Sequence, residues 1–125
     1  MLSTLPQIDK LDMFEVYAFY DRPVLFSCFD KYADRMFLVV FLGEKEFCVS
    51  WMLAEVSSPR LFDIRAGLIS LRDAFEKTED GFVFKLTCPP MAPQIIERIS
   101  AVSLDSELLP EVGEKLRALR GHSSI

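Results

Sequence analysis

Apolar residues in the first half of the chain fall in short runs separated by turn-forming residues, a spacing that predicts strands. Phe14–Tyr20 is the first run and is closed by Asp21-Arg22-Pro23. Val24–Asp30 is the second, followed by the polar Lys31-Tyr32-Ala33-Asp34. Met36–Leu42 is the third, and Gly43-Glu44-Lys45-Glu46 is expected as the hairpin connection into a fourth, Phe47–Val56. A parallel crossover needs about a dozen residues or more, so these short connections predict antiparallel neighbours. Within the fourth run, Phe47, Val49, Trp51 and Leu53 share one face, and Cys48, Ser50, Met52 and Ala54 share the other. Every position of Met36–Leu42 is apolar, the pattern of a central strand shielded on two sides.

Two helices follow. Ser58 ahead of Pro59 predicts a start, since proline suits the first helical position, where its missing N–H would be unpaired in any case. Gly67 predicts the stop, giving an element over Pro59–Ala66. Ser70 with Asp73 resembles a capping box, Leu71 and Phe75 fall on one face, and this helix is expected to end near Lys77. Glu79-Asp80-Gly81 is a turn, and Phe82, Phe84 and Leu86 alternate with Val83, Lys85 and Thr87 as in a half-buried strand, where Lys85 suits a sheet edge. The prolines at 89, 90 and 93 demand an extended, irregular link. Gln94–Val102 fits a helical stripe, but its β-branched content favours a strand. Leu108–Leu119 is expected as a short helix and Gly121–Ile125 as a frayed tail. The expected fold is α+β: an antiparallel meander of roughly four to six strands with two or three helices packed on one face, in a single domain over 1–125.

Composition narrows the function classes. The apolar fraction is 50% and the net charge −5, so the chain should fold around a core and lacks the clustered cations a phosphate backbone requires. The basic concentration at Lys115, Arg117 and Arg120 reads as a helix end whose cations face the terminal carbonyls. The three cysteines, Cys28, Cys48 and Cys88, show no C-x-x-C spacing and read as buried reduced thiols, the expectation for a cytoplasmic protein. No leader or membrane span is expected, and no nucleic-acid or membrane partner.

Catalytic and cofactor signatures are equally sparse. The sole histidine, His122, falls in the expected tail, a poor place for an imidazole that must sit within reach of a nucleophile. None of the five glycines forms a phosphate-cradling motif, and no cofactor is expected. Asp21, Asp30 and Asp34 flank the second strand. They read as turn residues that bond their own backbone, with a metal-dependent hydrolase or nuclease as the alternative. Aromatic side chains are the stronger lead, because Tyr, Trp and Arg dominate protein interfaces. Tyr17, Tyr20, Arg22, Tyr32 and Trp51 are the candidate partner-binding residues, as exposed groups in or beside the first hairpin and on the fourth strand.

The stretch Val16–Cys28, with its Tyr20-Asp21-Arg22-Pro23-Val24-Leu25-Phe26 core, resembles the opening of a family of small bacterial proteins classed as a domain of unknown function. Gly67-Leu68-Ile69-Ser70-Leu71-Arg72 resembles that family's middle motif, and Leu109-Pro110-Glu111-Val112-Gly113-Glu114 its closing segment. The resemblance implies a bacterial or phage cytosolic accessory protein and no reaction. A non-enzymatic interaction protein is therefore expected, an immunity or defence-associated subunit for instance, that binds a protein partner or a second copy of itself.

Overall fold

The structure, a computed structural model, describes residues 11–19 and 22–104. They form six strands, β1 (Asp12–Phe19), β2 (Pro23–Asp30), β3 (Arg35–Lys45), β4 (Cys48–Val56), β5 (Phe82–Cys88) and β6 (Ile95–Ser100), with helices α1 (Ser58–Arg65) and α2 (Leu71–Glu76) between β4 and β5. All strand pairs are antiparallel, and the order across the sheet is the order along the chain. This is an α+β arrangement. The expected helix at Leu108–Leu119, the tail with His122, and Tyr20 and Asp21 lie outside the described residues. No described helix is long and apolar enough to cross a membrane.

Side-chain alternation sorts the buried residues into two clusters. Tyr17, Leu38, Met52 and Val83 share the first with Leu61 and Ile64 of α1 and Leu71, Ala74 and Phe75 of α2. Cys28, Phe37, Val39, Leu53, Phe84 and Leu86 make the second, whose buried members all come from strands. Leu38 thus faces the first cluster and its neighbours Phe37 and Val39 the second, all three buried, as the uninterrupted apolar run of β3 requires.

Local chemistry fixes the helices. The Ser57 hydroxyl accepts from the Arg60 N–H at 3.2 Å, so the cap lies one residue before the expected Ser58. The Glu79 carboxylate holds this cap by accepting from the Ser57 N–H at 2.8 Å and hydroxyl at 2.9 Å. Gly67 adopts φ 80° just past α1, a conformation open to glycine without a Cβ clash. In α2 the Ser70 hydroxyl accepts from the Asp73 N–H at 3.1 Å, as the capping pattern predicts. The Arg60 guanidinium donates to the carbonyls of Asp73 and Lys77, satisfying the open end of α2 from α1.

Two expectations are corrected. Gly43 is not a turn: the register shifts between Phe41 and Gly43, and β3 continues to Lys45 opposite Cys48. Glycine punctuates a strand as well as a turn, and here it follows a bulge. The connection is instead Glu46-Phe47, with φ 54° and 65°, the paired positive values of a type I′ hairpin. Phe47 therefore leaves the strand and stands 79% exposed at the hairpin tip. Nor does Lys85 mark an edge. Ile95–Ser100 pairs with β5, so Lys85 lies between Met52 and Glu97, the latter of opposite charge.

Candidate partner-binding surface

The strand register assembles the surface from residues distant in sequence. Residues directly opposite in antiparallel strands share a face. Phe26 is opposite Val39, Val39 opposite Leu53, and Leu53 opposite Phe84. A second row runs from Phe41 through Trp51 and Leu86 to Ile96. A third joins Met13, Cys28 and Phe37. Between them lies a cavity of about 240 Å³ lined by Phe26, Cys28, Val39, Trp51, Leu53 and Leu86, with Leu11 and Met13 on the β1 side.

Aromatic contacts hold its wall in place. Trp51 meets Phe26 edge-on, with ring centroids 5.6 Å apart, and Phe41 in the same manner at 4.9 Å. Such pairs add about 0.5–1.5 kcal/mol beyond the area they bury. The Arg22 guanidinium lies 4.9 Å above the Phe41 ring and pairs with Glu44 at 3.4 Å. At the opposite end Arg35 stands 4.9 Å over Phe37 and pairs with Glu55 at 2.7 Å. An apolar centre flanked by ion pairs has the anatomy of a protein interface, with a dry core and a polar rim.

The cavity offers contact rather than acid–base chemistry. Its one titratable side chain is Cys28, whose thiol burial pushes up to about 12. The thiol therefore stays protonated at neutral pH and is a weak nucleophile.

The five predicted residues separate. Arg22 and Trp51 come together through Phe41. Tyr32 is exposed on the β2–β3 turn, with the Lys31 ammonium 5.5 Å from its ring, apart from the cavity. Tyr20 lies outside the described residues. The expectation that Tyr17 is exposed is corrected: it is fully buried in the cluster that includes the helices, and its hydroxyl is 2.9 Å from the Ser27 hydroxyl. Bulges on both sides of Val16 and Ala18 place this ring, and alternation alone does not reveal them. Burial, with a smaller push from the Glu15 charge and against the Ser27 hydrogen bond, raises the Tyr17 phenol to about 12.

Of the turn aspartates, Asp30 accepts from the N–H groups of Tyr32 at 3.0 Å and Ala33 at 3.2 Å, a self-capped turn. Asp34 takes φ 54° in the same turn. Among the described residues no three His, Cys, Asp or Glu side chains are grouped as a metal site would group them. Sequence reasoning missed Phe26, Phe41 and Met13. Phenylalanine in an apolar run carries no mark of the face it will occupy, and only the pairing register brings Phe26 and Phe41 beside Trp51 and Met13 beside Cys28.

The model of a family of unknown function (DUF6575) matches residues 1–120. No curated protein and no solved structure matches the chain.

Proposed function

We propose that the chain, which belongs to DUF6575, a family of unknown function, is a non-enzymatic interaction protein that binds a protein partner through the Trp51 face of its sheet. In this reading α1 and α2 shield one face, and the opposite one is left for association. The supporting observation is the 240 Å³ apolar cavity walled by Phe26 and Trp51. An immobilised aromatic wall with few rotatable bonds lowers the entropy lost when a partner docks. A cytoplasmic accessory role of the kind the family resemblance implies fits the free thiols at Cys28, Cys48 and Cys88.

Site-specific photocrosslinking in extracts of the source cell tests this reading. A crosslinking amino acid replaces Met13, which is 53% exposed and lines the cavity, and in a control replaces Phe62, which is exposed on α1. A defined protein adduct should form from position 13, vanish with Trp51→Ala and be absent from position 62. Equal labelling from both positions, or an adduct indifferent to Trp51→Ala, would sink the proposal.

A further inference from the structure

The hairpin tip and the cavity are complementary in size and chemistry. Phe47 is 79% exposed, more than the exposed aromatics Tyr32, Phe62 and Phe14 at 74%, 67% and 57%. It is also the only aromatic among the described non-glycine residues with positive φ, at 65°. Type I′ turns favour asparagine and glycine at such positions, and a bulky side chain there is strained. A residue that burdens its own turn while burying little in the free chain has its compensation elsewhere. Strain of this kind persists at sites of function.

The cavity beside Trp51 supplies the compensation. Its volume is about 240 Å³, and a cavity of roughly 150 Å³ already accommodates benzene, so a benzyl group fits. All eight lining residues are apolar, and the one thiol among them is kept neutral, so the lining selects an uncharged, apolar insert. Phe47 cannot reach its own cavity. It stands at the hairpin tip before β4, and Trp51 lies three residues beyond the first residue of that strand, Cys48, about 10 Å at the rise of a strand.

Resting on the proposed role of this face in binding, we infer that its occupant is a second copy of the chain, with Phe47 of each copy seated beside Trp51 of the other. The contact is reciprocal, so a two-fold axis closes it and no open filament results. Of the exposed aromatics, Phe47 and Tyr32 are set on hairpin tips, and of the two Phe47 is the one without a polar hydroxyl, as the apolar lining requires.

Sedimentation equilibrium on the full chain tests this, with Trp51 emission followed on dilution as a second readout because it is the sole tryptophan. Wild type should dimerise, with Trp51 emission shifting to the red as dimers dissociate. Phe47→Asn suits the turn and removes the knob, so it should weaken dimerisation roughly thirtyfold or more without lowering the melting temperature of the dilute monomer. Phe47→Leu, which keeps an apolar insert, should retain most of the association. A wild type that remains monomeric at about 200 µM overturns the inference, whereas a Trp51-dependent adduct with a different protein would leave the interaction reading standing. A wild-type dimer unchanged by Phe47→Asn also overturns it, and Trp51→Ala then shows whether the face itself is the interface.

Discussion

Replacing Tyr17 with phenylalanine separates two contributions of one hydroxyl, and they act in different pH ranges. At neutral pH the variant loses the 2.9 Å contact with Ser27, whose side chain is fully buried and left without that partner. Leaving such a group unpaired costs about 1–2 kcal/mol. At alkaline pH the balance changes. The phenol is raised from 10.0 to about 12, chiefly by burial, so the folded chain holds the proton more tightly than the unfolded one. The stability this provides is fully present below pH 10 and is lost as pH rises through about 12. The two-unit difference corresponds to about 2–3 kcal/mol. Phenylalanine has nothing to titrate, so the variant escapes that loss. Wild type should be the more stable protein at neutral pH, and the stability curves should cross near pH 11, where the alkaline loss equals the hydrogen-bond deficit, by order of magnitude. Urea unfolding followed through Trp51 fluorescence from pH 7 to 12 measures both curves. The raised Cys28 thiol contributes equally to the two proteins and cancels. Parallel curves up to pH 12 would refute a tightly held Tyr17 proton.

Three further outcomes are expected. Phe84→Ala empties a fully buried site packed edge-on against Phe37 and should cost about 3–5 kcal/mol, read as a large fall in the urea midpoint. Glu79→Ala strips two hydrogen bonds from the exposed cap of α1, and thermal melts should show a fall of about 3–5 °C, corresponding to roughly 1 kcal/mol. Under native conditions at mildly alkaline pH, an aromatic disulfide reagent should modify Cys48 first and Cys88 more slowly, since burial and the neighbouring Cys48 raise the Cys88 thiol. Cys28 should react only on unfolding, and mass mapping of the adducts checks the order.

Much of the sheet was legible in the sequence because period-2 alternation survives in β4 and the unbroken apolar run of β3 admits one interpretation. Leu38 facing one way and Phe37 and Val39 the other is what such a run dictates. The strand at Ile95–Ser100 followed from β-branching. Less legible was anything that depends on which strands become neighbours. Gly43 reads equally as a turn or a bulge until Lys45 is known to lie opposite Cys48, and Lys85 resembles an edge residue until β6 is placed beside it. The proposed binding surface shows the same division. Trp51, Arg22 and Tyr17 were picked out by residue type, and Tyr17, expected to be exposed, is buried, because aromatic residues favour strands whichever face they occupy. The cavity is a property of the register, which no single segment encodes.

Because each strand neighbours only those before and after it in the chain, β1 and β6 form opposite borders of the sheet. With strands about 4.8 Å apart, some 24 Å separates these borders. A load applied between them acts along the inter-strand hydrogen bonds, so the ladders open one after another, as a zipper does, and are not sheared together. Such a molecule is mechanically soft. Tethered by these borders between two larger bodies, it would extend at whichever ladder yields first, since all five carry the load in series.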